Sequence, residues 1–191
     1  MDYLLDLLQG LGIAAAVGIR PFLPTLLVGA LATADLGLDF ENTDFSFLES
    51  SEFLLVILVL VFVVGIMERR RLVQPVMVLL LGSSLILGAL LASGSIADGS
   101  ETWWPGVPVG VAAASLGFLA ARSLFERVRA RLDPDAQSAL PLYAEGSALL
   151  GAGLSVLFPP LAVLIVAALV WLLLGGRRRQ GEKYAGLRIL R

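Results

Sequence analysis

"VGIRPFLPTL", residues 17–26, sets one arginine and two prolines inside a run otherwise made of aliphatic residues, glycine, one phenylalanine and one threonine. Pro21 has no backbone N–H and disfavours helical geometry at the residue before it. A helix entering near Leu11 therefore breaks at Arg20 and restarts with Pro21 in its first turn. The restarted helix points free N–H groups and a partial positive charge at the break, and Arg20 adds a full one, a combination suited to an anion.

The solvent around that break follows from composition. Hydrophobic residues make up 58% of the 191 and charged residues 16%, against about 25% charged in soluble domains, and the mean hydropathy is +0.88. The bilayer is the expected solvent. Crossing ~30 Å of hydrocarbon takes roughly 20 helical residues, and six apolar runs approach that length: 11–33, 53–67, 72–92, 107–121, 138–158 and 160–174. The fold class read from them is all-α, a polytopic transmembrane helical bundle of about six spans forming one membrane domain over residues 1–191. Its first helix is broken. "MDYLLDLLQG" (1–10) reads as an amphipathic lead-in at the interface, and it lacks the basic start and cleavage site of a signal peptide.

Charge is partitioned between the loops. Of the fourteen Lys and Arg residues, thirteen follow the second run (Arg69–Arg71), the fourth (Arg122–Arg131) or the sixth, in a basic tail over 175–191. The segment 34–52 carries Asp35, Asp39, Glu41, Asp44, Glu49 and Glu52 with no basic residue. The positive-inside rule then places the Arg-rich segments in the cytoplasm and the acidic loop outside. Six crossings put both termini in the cytoplasm. Two readings of the first run remain open, a single crossing or a re-entrant hairpin broken at Arg20 and Pro21.

Arg20 needs a partner. At 1.5 Å per residue it lies roughly 13–15 Å into a span that begins near Leu11, close to the bilayer middle. An unpaired charge there costs ~2.5–3.5 kcal/mol on insertion scales. Glu145, in "SALPLYAEGSALLGAG", is the acidic residue set well inside an apolar run, and it is expected to pair with Arg20. Pro21, Thr25, Tyr143 and Ser147 complete the candidate binding site. A buried ion pair that only fixes helix packing fits the same residues.

His and Cys are both absent, which removes imidazole and thiolate metal sites, thiol nucleophiles and haem ligation. No metal, no cofactor, no catalytic residue and no nucleic-acid partner is expected. Asp39, Glu41 and Asp44 lack the spacing of a calcium loop. Two internal repeats compete. A parallel one lays residues 53–71 on 161–179 and matches Pro21 to Pro141, and an inverted one lays "GIAAAVG" (12–18) on "GVAAASLG" (110–117). Small residues one turn apart, such as Gly106 and Gly110 or Ser84 and Gly88, mark close helix packing.

The motif "GIRPFLP" (18–24), the final "YAGLRILR" and the length together resemble a bacterial family of small polytopic membrane proteins catalogued as a domain of unknown function. The resemblance implies a bacterial inner-membrane protein, with Arg20 and Pro21 as motif residues, and transfers no activity. The expected function is a small transporter or channel-like permease, possessing a broken-helix Arg/Glu site for a small anion. A non-transporting scaffold or assembly partner is the alternative. The expected partners are the lipid bilayer, a small anionic ligand and a second copy of the chain.

Overall fold

The break at Arg20 is where the chain turns round. The computed structural model describes residues 2–70, 73–100, 102–137 and 139–185, the last ten of these by backbone alone. Arg71, Leu72, Ser138 and the side chains of the basic tail beyond Gly175 lie outside the described residues. Helix α1 (Asp2–Ile19) stops one residue before Arg20, and α2 (Phe22–Thr33) starts one residue after Pro21. The Arg20 N–H still donates to the Ala16 carbonyl at 3.3 Å. The first turn of α2 is closed by the Thr25 hydroxyl, which donates to the Pro21 carbonyl at 2.6 Å.

Helix α7 (Leu140–Leu157) serves as a ruler for the two segments. Gln9 donates to the Val156 carbonyl at 3.1 Å, Gly12 packs on Ser155, and Gly151 faces Ala16, so α1 runs against α7. Gly153 faces Leu27, and Gly37, just beyond α2, packs on Val156, so α2 runs with α7. The two helices are therefore antiparallel, and Arg20 sits at the tip of a hairpin. Residues 11–33 are not one span. Gln9 closes the hairpin's open end by donating to the Gly37 carbonyl at 2.7 Å. The expected interfacial lead-in is instead the first half of α1, which carries buried Gln9 into the bundle.

Helix α1 is the axis of the molecule. It packs most extensively on α4 (Val73–Gly99) and α5 (Gly106–Arg129), then on α7 and α8 (Leu161–Ala185), and Ile13 to Val17 are completely buried. Lipid tails are as apolar as any side chain, so membrane helices associate through close van der Waals fit, which small residues permit. A methyl added at Gly10 would lie 3.0 Å from the Ala92 Cα, and one at Gly110 2.8 Å from the Ala89 Cα. At Gly117 it would run into the Ala15 carbonyl oxygen. Two serines of α4 tie the antiparallel α1–α4 pair to backbone: Ser95 donates to the Asp6 carbonyl at 2.9 Å and Ser84 to the Val17 carbonyl at 3.2 Å.

Helix α3 (Ser51–Arg69) begins under a Ser50 cap, whose hydroxyl accepts from the Phe53 N–H at 3.3 Å. It lies at the periphery against α2, turning Leu55, Val59, Phe62 and Ile66 outward. Such a face belongs in hydrocarbon. Among the described residues, four helices are long and apolar enough to cross a membrane: α3, α4, α5 and α7. Tyr3–Ile19, Phe22–Thr33 and Leu161–Gly175 are shorter apolar stretches. A single-turn α6 (Pro134–Gln137) joins α5 to α7, and the described residues contain no strand.

One end of the bundle gathers the start of α1, the ends of α2, α4 and α7, and the acidic segment, whose Phe40 and Leu48 are buried. The ends of α3, α5 and α8 lie at the other, Arg-rich end. The start of α1 and the end of α8 are thus at opposite ends, whereas the sequence reading put both termini on one side. The return of α2 accounts for the difference: of the two readings open for residues 11–33, the count of six crossings used the single crossing, and the chain adopts the hairpin. Segments 12–18 and 110–117 run in the same direction, which an inverted repeat forbids, while α2 and α7 run in parallel as a parallel repeat requires.

A cysteine appended ahead of Asp2 should therefore label from the same side of a sealed membrane as Glu41→Cys, and from the opposite side to Arg129→Cys. Labelling of the N-terminal cysteine together with position 129 would contradict the hairpin. The packing of α1 has its own test in detergent unfolding. Gly117→Ala should cost roughly 1–3 kcal/mol through overpacking, whereas Gly146→Ala, with nothing within 4 Å of the added methyl, should be neutral or slightly stabilising. Equal effects would contradict the close contact.

Candidate functional site

Two helices and the hairpin tip bring charges together. Arg20 Nη1 donates to Glu68 Oε1 at 2.7 Å, and Arg20 Nε lies 3.7 Å from Glu145 Oε1. The guanidinium is thus bonded to Glu68 and only in loose ionic contact with Glu145. Arg20 is 8% exposed, while the two glutamate side chains are 28% and 26% exposed. Glu145 Oε2 is buried and has no hydrogen-bond partner. One guanidinium between two carboxylates leaves an excess of one negative charge.

The depth of the cluster follows from the helices that carry it. Because α1 starts at Asp2 and not near Leu11, Arg20 lies about 27 Å from its beginning. Glu68 is in the last turn of α3 and Glu145 in the second turn of α7. The site therefore sits toward the Arg-rich end of the bundle, whereas the sequence reading set Arg20 midway along a span that began near Leu11.

The expected site residues divide. Arg20, Pro21 and Glu145 are brought together at the break. Thr25 is completely buried beside it and commits its hydroxyl to the Pro21 carbonyl. Tyr143 is 72% exposed, and the exposed Ser147 donates to the Ala144 carbonyl at 2.9 Å. Both lie two residues from Glu145, and residues two apart on a helix face different ways. They are not part of the charged cluster.

Glu68 was missed because "MERRR" reads as the charged end of a span. A helical-stripe reading finds it: the deeply buried Ile57 and Val64 of α3 are seven apart, and Glu68 follows Val64 by four, on the same face.

Breaking the charge-assisted bond by Glu68→Gln should cost about 1.5–3 kcal/mol. Glu145→Gln should cost less, since it also removes the excess charge. Arg20→Met should cost most, and less when both glutamates are already Gln. Unfolding in detergent measures the three single variants, the double Gln variant and the triple variant, and strictly additive losses would contradict a shared cluster.

These features define a polytopic α-helical membrane protein built on a central small-residue helix and a charged hairpin tip. The chain belongs to the family described as "Domain of unknown function (DUF4126)", which matches residues 7–179. The match includes Arg20, Glu68 and Glu145. No curated protein and no solved structure matches the chain.

Proposed function

We propose that the chain is a small permease of the bacterial inner membrane, with its Arg-rich end in the cytoplasm, the start of α1 outside, and the Arg20–Glu68–Glu145 cluster as its binding site. The observation that carries the reading is Glu145 Oε2, a buried carboxylate oxygen without a partner in a cluster of net negative charge. A site dedicated to helix packing has no use for an unpaired carboxylate oxygen. In transmembrane proteins, ionisable groups facing a bundle interior mark ion and substrate paths. The charge count favours a proton or another small monovalent cation over the small anion expected from Arg20 alone, because Arg20 is already engaged.

The scaffold reading draws on one observation, the 2.7 Å bond that locks Arg20 to Glu68. Flux separates the two. Proteoliposomes holding equal amounts of folded protein would be loaded with a pH-sensitive dye and subjected to an imposed potential, with Na⁺ or K⁺ gradients in parallel arms. The expected result is a cation flux through wild type that is lost in Glu145→Gln. Arg20→Lys should also be impaired, because an ammonium lacks the planar fork that engages two carboxylates. Absence of flux for every ion, with all proteins equally folded, would overturn the permease in favour of the scaffold.

A further inference from the structure

We propose that the groove between α4 and α5 at the acidic end of the bundle is a lipid site, holding one acyl chain of a diacyl phospholipid whose ester carbonyl accepts a hydrogen bond from Ser93. The groove encloses about 440 Å³. Ala89 and Ser93 form its floor, Ile86, Val107 and Val111 its walls, and Phe45 with Trp103 its mouth. The two aromatic rings meet edge to face, with centroids 5.3 Å apart. This proposal is independent of the reading of the charged cluster.

Ser93 is the observation that asks for a ligand. The other serines of α4 spend their hydroxyls on carbonyls: Ser83 on Leu79, Ser84 on Val17 and Ser95 on Asp6. Ser93 is 1% exposed and its hydroxyl has no partner. A buried hydroxyl is normally satisfied. Water fills the role poorly, since a stable buried water needs two to four polar partners and the rest of the lining, the Trp103 indole N–H apart, is apolar side chain.

Depth and lining choose the occupant. From Leu85 to Ser93 the helix rises about 12 Å, and a groove of about 440 Å³ along that length, with Ile86, Val107 and Val111 exposed beside it, accommodates an extended acyl chain. Ser93 lies about 9 Å below the end of α4 at Gly99 and below Trp103, whose ring belongs at headgroup level. That is the depth at which an ester carbonyl passes from the aromatic belt into the hydrocarbon.

The full chain carrying Trp104→Phe and Trp171→Phe, both at exposed positions, leaves Trp103 as the sole tryptophan, excited selectively over the tyrosines. It would be purified in detergent and titrated with a diacyl phospholipid brominated along its chains, bromine being a contact quencher. The expected result is quenching that saturates at one lipid per protein. Saturation should be lost in Ala89→Leu, which fills the floor, and in Val111→Phe, which fills a wall. It should shift to several-fold higher lipid in Ser93→Ala. Quenching that only tracks the bulk bromolipid fraction, or saturates identically in correctly folded Ala89→Leu and Val111→Phe, would overturn the lipid site. Shielding of Trp103 that grows with protein concentration and without lipid would do the same, by assigning the groove to a second copy.

Discussion

The backbone contact of α1 with α4 and α5 is the constraint on which the rest depends. Gly10, Gly12, Ala14 to Ala16 and Gly18 leave α1 almost without side chains on the faces that meet its neighbours, and Gly88 and Gly117 answer from the other side. A helix this slim can be surrounded on all sides. Only a surrounded helix can deliver its end, Arg20, to a point where α3 and α7 both reach it. Widening α1 by single methyl groups would push apart the same walls that hold the charged cluster.

The cluster in turn explains why the chain tolerates a break inside its apolar core. A proline-interrupted helix exposes backbone groups that hydrocarbon cannot satisfy, and such breaks persist where side chains re-satisfy them or where they line a polar site. Thr25 closes the carbonyl of Pro21, and Glu68 neutralises Arg20. Glu145 then exceeds what neutrality requires. The excess carboxylate links the geometry to the proposed cation path, because a fully compensated pair would be the simpler way to hold two helices together.

The helical class, the break at Arg20 and the approach of Arg20 to Glu145 were legible in the sequence, since proline chemistry and the cost of charge in lipid act locally. The direction of α2 was not. A proline-interrupted apolar run looks the same whether the chain continues or turns back, and the deciding contacts, Gln9 with Gly37 and with Val156, join residues far apart in sequence. Glu68 was hidden by its three neighbouring arginines, although its spacing from Val64 carried the signal. Tyr143 and Ser147 were drawn in by proximity along the chain, where helical geometry turns them away.

Fold-back at Arg20 is the central claim, and a spin-label distance tests it most directly. Labels at Tyr3 and Leu36, both exposed, belong to the same end of the bundle in this account, so pulsed dipolar spectroscopy should find them no farther apart than the width of a few packed helices, about 20–25 Å. A first segment that crossed once, as one continuous helix over the same residues, would separate them by about 50 Å. A distance near the longer value would contradict the hairpin and, with it, the placement of Arg20 between the two glutamates.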